Sequence, residues 1–171
     1  MEMASYAKLP SELRDQLGMI EPSQDGILKY YPCAVTLRNG TVHDRVYVVD
    51  FAPYIKMWGV TPAQDPHKAS VLIEDVVTIG ESLTRLPARV ANCIYKAGET
   101  GMGYCAFTVI FRDGSRQAYI TGNAVDFIEY PKRLSAADIV DIKIHTGRHD
   151  PDVRQGPKYY WCIYDGVEGA S

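Results

Sequence analysis

Four short blocks of this chain occur twice, in the same order, and no other feature limits its architecture as much. Cys33-Ala34-Val35-Thr36 returns as Cys105-Ala106-Phe107-Thr108, 72 residues on. The turn Arg38-Asn39-Gly40-Thr41 returns as Arg112-Asp113-Gly114-Ser115 at an offset of 74, so the second copy reads as carrying two extra residues before its turn. Glu74-Asp75-Val76-Val77-Thr78-Ile79 matches Ala137-Asp138-Ile139-Val140-Asp141-Ile142 at 63, and Cys93-Ile94-Tyr95 matches Cys162-Ile163-Tyr164 at 69. One match alone is worthless among β-rich segments. Four in register imply one small unit written twice, each copy burying against the other a face it cannot bury alone. The implied organisation is a lead-in over 1–28, a first repeat over 29–97 and a second over 98–171, with Gly98 to Gly103 as a glycine-rich connector.

The residues between the blocks read mainly as strand. Ser11 to Gly18 is the exception. It reads as a short helix with Ser11 as N-cap, Leu13 and Leu17 on one face and Gly18 at the end. Ile27 to Arg38 is apolar, β-branched and aromatic, hence a strand. Asn39-Gly40 suits the two positive-φ positions of a type I′ hairpin. Val42, Val46 and Val48 then alternate with His43, Arg45 and Tyr47, as in a half-buried strand. Tyr54 to Trp58, Val71 to Gly80, and the run from Ala88 to Lys96 that leads through Cys93-Ile94-Tyr95 complete the first copy as strands. The second copy repeats the scheme: a hairpin about Asp113-Gly114, a short strand from Val125 to Tyr130, a helical turn at Ser135 to Asp138 before Ile139 to His145, and a closing strand from Lys158 to Tyr164.

Leu37-Arg38-Asn39-Gly40 and Phe111-Arg112-Asp113-Gly114, with Asp75-Val76-Val77 and Asp138-Ile139-Val140, resemble the first hairpin and late strand of the small SH3-like and Sm-like barrels. That resemblance covers about Lys29 to Tyr164. It implies a mainly β protein of two tandem SH3-like barrels packed together, with a short N-terminal helix. Sm-like proteins bind uridine-rich RNA through an Asp and an Asn after the second strand. Asp50 fits the first, but Ala52 to Ile55 supplies no Asn, so RNA binding does not carry over.

Composition narrows the function. The chain has 171 residues, 46% hydrophobic and 23% charged, a net charge of −3 and a pI near 5.8. These values fit a globular protein with no general attraction to nucleic-acid phosphates or anionic membranes. No apolar run reaches the ~20 residues of a membrane helix, and the first residues do not read as a signal peptide, so a cytoplasmic location is expected. The four cysteines, Cys33, Cys93, Cys105 and Cys162, form no Cys-x-x-Cys pair. Each is expected to be a small buried strand residue. No cofactor and no metal are expected.

The chemistry-bearing residues fall into two sets. The polar loop His145-Thr146-Gly147-Arg148-His149-Asp150 holds histidine and carboxylate, the ingredients of a metal-dependent hydrolase. Its two histidines lie in a Gly/Pro-rich loop rather than on a helix face, and a solvated loop is the expectation. The second set is a tyrosine-rich β-surface flanked by arginines: Arg45, Tyr47, Arg89, Tyr95, Tyr119, Arg148 and Tyr160. Tyrosine offers large contact area at low entropic cost and arginine adds anion contacts. The leading expectation is a non-catalytic binding module of inhibitor, immunity or adaptor type. It would take a protein partner or a small anionic ligand on that surface or in a groove between the repeats. Single-stranded nucleic-acid binding by a barrel face and the metal hydrolase are the alternatives. An exposed edge strand would also leave room for a homodimer.

Overall fold

The computed structural model describes residues 5–147 and 150–169. The chain divides into two compact units, Met1–Ser82 with Tyr159–Ser171, and Leu83–Lys158. The first unit is thus built from both ends of the sequence, unlike the consecutive repeats expected.

In the first unit, α1 (Ser11–Leu17) starts after Pro10, which occupies the N-cap position expected for Ser11. β1 (Ser23–Asp25) and β2 (Leu28–Leu37) pair antiparallel, and β2 forms a hairpin with β3 (Val42–Asp50). Next come α2 (Phe51–Trp58), the two-residue β4 (Ala69–Ser70), a 3₁₀ turn at Ile73–Asp75 and β5 (Val76–Gly80). The second unit contains α3 (Ala88–Ala97), the hairpin of β6 (Cys105–Phe111) and β7 (Arg116–Thr121), a 3₁₀ turn at Ala136–Asp138, β8 (Ile139–Ile144) and β9 (Arg154–Gln155). β10 (Tyr160–Tyr164) then returns to the first unit, lying parallel to both β3 and β4. The sheets run β1-β2-β3-β10-β4, with β5 also on β2, and β8-β6-β7-β9. The protein is mainly β, but neither sheet closes into a barrel as expected.

The local correspondence between the units reaches individual hydrogen bonds. Leu37 accepts from Gly40 N–H at 2.9 Å and donates to Thr41 O at 2.8 Å; Phe111 accepts from Gly114 N–H at 2.9 Å and donates to Ser115 O at 2.9 Å. Gly40 and Gly114 both have φ of +86°, whereas Asn39 and Asp113 do not have positive φ. Each turn is therefore a type I turn closed by a left-handed glycine, a three-residue loop rather than the type I′ loop expected. The turn arginines explain why both copies carry one. Arg38 N–H and Nε donate to Asp75 O and Glu74 O, and Arg112 N–H and Nη2 to Asp138 O and Ala137 O. Each arginine thereby satisfies carbonyls of the 3₁₀ turn leading into the edge strand.

Strand register corrects the sequence alignment. Val35 pairs with Ile79 and Val109 with Ile142; Thr36 pairs with Val42 and Ile110 with Arg116. Counted from the turn, the constant offset is 74, which sets Cys33 opposite Phe107 in the correspondence, not Cys105. No two-residue insertion precedes the second turn. The Cys-Ile-Tyr blocks are not equivalent at all: Cys93, Ile94 and Tyr95 lie on α3, Cys162, Ile163 and Tyr164 on β10. What α3 matches is α1. Leu9-Pro10 and Leu86-Pro87 precede the two helices, both prolines take an extended backbone at the N-cap, and Leu13 and Leu17 correspond to Val90 and Ile94, all buried. Each helix lays its i, i+4 apolar face on one side of its sheet. Leu13 and Leu17 pack with Cys33, Val35, Val46 and Val76, and Val90 and Ile94 with Phe107, Val109, Phe111 and Tyr119.

Three further expectations change. Tyr54 to Trp58 is helix, with Pro53 in the first turn of α2, where its missing N–H has no intrahelical role. Val125 to Tyr130 is irregular, joined to Arg85 by a single bridge at Phe127. Cys93 is exposed, while Cys33, Cys105 and Cys162 are buried.

Candidate functional site

The two sheets differ in what covers the face opposite α1 or α3. In the first unit that face carries an aromatic layer: Tyr30, Tyr47 and Trp161 pack together, with Tyr54 of α2 against Trp161. In the second unit the matching face holds an open groove of about 900 Å³. Side chains on a strand alternate between faces. Phe107, Val109 and Tyr119 point into the α3 core, which turns Thr108, Arg116 and Ala118 toward the groove.

The floor is a cross-strand row. Thr108 pairs with Ala118 on one side and with Lys143 on the other. Arg116 lies two residues before Ala118, and His145 two after Lys143, so both share this face, on opposite sides of the row. His145 Nε2 and Thr108 Oγ1 are 2.6 Å apart, and the His145 backbone N–H donates to Ala106 O at 3.0 Å, which holds the ring over the sheet. The opposite wall comes from the loop ahead of β9. Asp150 Oδ1 accepts from Asp152 N–H at 2.9 Å, and Gln117 Nε2 donates to Asp152 O at 2.7 Å, tying that loop to β7. Among the described residues, the cations that line the groove are Arg116, Lys143 and Arg154, all exposed.

Position by position, the first unit lacks this chemistry. The registers match Thr108 with Ala34, Arg116 with Val42 and Lys143 with Gly80. A shared scaffold thus carries a hydroxyl and two cations in one unit, and two small residues and a valine in the other.

The residues singled out from sequence are divided between the two units. Arg45, Tyr47 and Tyr160 belong to the first unit, Arg89, Tyr95 and Tyr119 to the second. Tyr47 is fully buried between Tyr30 and Trp161. Tyr119 is fully buried too, donating to Glu129 O at 2.7 Å, and desolvation pushes its phenol up to about 12. Tyr95 on α3 donates its hydroxyl to the buried Asp126 carboxylate and accepts from Val125 N–H at 3.1 Å. Tyr160 is half-buried, its ring 4.2 Å from that of His43. Arg45 is half-buried on β3 and Arg89 exposed on α3. Arg148 and His149 lie outside the described residues. Of the polar loop, His145 and Asp150 do line the groove.

Thr108 and Lys143 escaped the sequence reading. Their signal was there: a polar residue between Phe107 and Val109, and a lysine between Ile142 and Ile144, each facing away from an apolar row. Among the described residues no group of three His, Cys, Asp or Glu side chains is placed to hold a metal ion, and no helix is long and apolar enough to cross a membrane. No protein-family model, no curated protein and no solved structure matches the chain.

Proposed function

We propose that the protein is a binding module whose second unit takes a small anionic ligand in the groove over β6, β7 and β8. The single observation behind this reading is the replacement of Ala34, Val42 and Gly80 by Thr108, Arg116 and Lys143 at register-equivalent positions. On a shared scaffold, polar differences on the face away from the helix reflect what that face contacts rather than what the core requires. Arg116 supplies a planar donor fork suited to carboxylate or phosphate, and Lys143 a compact charge. Thr108 and His145 add hydrogen-bonding groups on the floor. The volume suits an organic anion rather than a bare ion, since small-molecule sites span roughly 300–1,000 Å³. The repeated helix, hairpin, 3₁₀ turn and strand further support descent of both units from one duplicated element.

The test is isothermal titration against organic phosphates and di- and tricarboxylates, together with mass spectrometry of small molecules released from the purified protein. At least one anion should bind, more weakly as salt rises. The double variant R116A/K143A should lose roughly tenfold or more, as expected when charge-assisted hydrogen bonds worth about 1.5–3 kcal/mol each are removed. The control R45A on the first unit should bind as the parent does. Absence of binding across the panel, or a double variant that binds unchanged, would refute the assignment.

A further inference from the structure

The aromatic face of the first unit encloses one charged atom. Lys68 follows Pro66 in the stretch between α2 and β4, and its ammonium lies over three rings: 5.0 Å from the centroid of Trp58, 5.4 Å from Trp161 and 5.6 Å from Tyr54. It also donates to Tyr54 Oη at 3.0 Å. Asp65, three residues earlier, forms a long ion pair with it at 3.9 Å. Ring faces carry negative potential and attract cations, and several faces around one point form the recognition geometry for alkylated ammonium groups.

Two further observations set this cluster apart from ordinary core. The indole N–H groups of Trp58 and Trp161 are buried and meet no hydrogen-bond acceptor among the described residues. The Lys68 side chain keeps 24% of its surface exposed, so the enclosure opens to solvent at its mouth. Desolvation also holds the Lys68 ammonium below its usual pKa, against the opposing pull of Asp65. A cation drawn partly out of water and two unsatisfied donors concentrate their costs at one place, whereas an apolar side chain in the position of Lys68 would leave no charge to desolvate.

We propose that Tyr54, Trp58 and Trp161 form a binding cage for an alkylammonium group, and that Lys68 is its built-in occupant, displaced when such a ligand enters. The tether gives Lys68 a high effective concentration, so it competes strongly and keeps the parent protein's affinity low. An alkylammonium of higher substitution covers more of the ring faces and sheds less hydration than a primary amine, which is what allows it to win.

The chain's two tryptophans are both cage residues, so tryptophan emission, excited selectively over the tyrosines, reports on this site. The experiment titrates the parent, K68A and K68Q with tetramethylammonium, choline and trimethyllysine amide, with 3,3-dimethylbutan-1-ol as the uncharged counterpart of choline. Circular dichroism establishes which variants are folded. Folded K68A or K68Q should show saturable fluorescence changes at least tenfold tighter than the parent, with no saturation by the neutral alcohol, and W58A added to either should abolish the response. Equal response to tetramethylammonium alone would mark a bare cation site, whereas preference for choline or trimethyllysine would locate the source of the ammonium; both outcomes support the cage. Absent saturation in a folded variant, equal response to the neutral alcohol, or failure of both variants to fold would overturn the proposal and leave Lys68 a structural support.

Discussion

Gly40 and Gly114 hold the same left-handed backbone at the same place in two hairpins, each with open space where a Cβ would be. Substitution by alanine therefore carries a backbone cost and no steric one. G40A and G114A should each destabilise the protein by about 1–2 kcal/mol, measured by urea unfolding, and by similar amounts. A large difference between them would mean that the turns are alike only in outline. These turns were legible in the sequence because their chemistry is local, spanning four or five residues. The error made there, a type I′ loop instead of a type I turn with a left-handed glycine, arose because Asn-Gly and Asp-Gly suit both. Only the backbone of the preceding residue separates the two. Thr108 and Lys143 stayed hidden because a single polar residue in a strand acquires meaning only once its cross-strand neighbours are known.

At the level of elements, what the sequence concealed is the pairing of α1 with α3. Leu9-Pro10 and Leu86-Pro87 were available to be read. The Cys-Ile-Tyr coincidence obscured them, since three apolar residues fit helix and strand equally well. A proline at the N-cap followed by apolar residues four apart is the discriminating pattern, and it occurs in both places. Trp58 and Tyr54 misled in the same manner, having strand propensity but a helical setting. If the two helices do equivalent work, L17A and I94A should each cost about 2–5 kcal/mol, as large-to-small changes in a packed core do. The exposed neighbours R14A and R89A should shift stability by no more than about 0.5 kcal/mol. The edge strands are guarded differently. Gln16 Oε1 accepts from Ile79 N–H on β5 at 2.7 Å, whereas the matching Ile142 N–H on β8 donates to Asp141 Oδ1 at 2.8 Å. A helix side chain protects one edge and the strand's own carboxylate the other.

On the scale of the whole molecule, both units bury ionisable groups that must stay neutral. Desolvation raises the phenols of Tyr54, Tyr119, Tyr130 and Tyr164 and the thiol of Cys162. A raised folded-state pKa means that the folded chain holds protons which the unfolded chain has already released. The associated stability is complete below the unfolded values, about pH 10 for tyrosine and 8.5 for cysteine, and falls as pH climbs beyond them. Lys68 acts in the opposite sense, its depressed pKa favouring the folded state as pH rises toward the ordinary lysine value. One lysine stands against five acids, so net loss of stability above about pH 10 is expected. A spectrophotometric titration should show these four tyrosines ionising together with the collapse of the far-ultraviolet dichroism. Smooth ionisation of all phenols with the dichroism intact would contradict the burial described.

β10 sits between β3 and β4, and among the described residues β4 has no other partner strand. During synthesis, then, the ribosome delivers every residue of the second unit before the strand that completes the first. The opening hairpin must wait with one flank unpaired while the 109 residues between Asp50 and Tyr160 emerge. A stop codon shortly before Tyr160 would consequently spoil the part of the protein that is made earliest, and nascent chains stalled at that point should be the ones that chaperones retain.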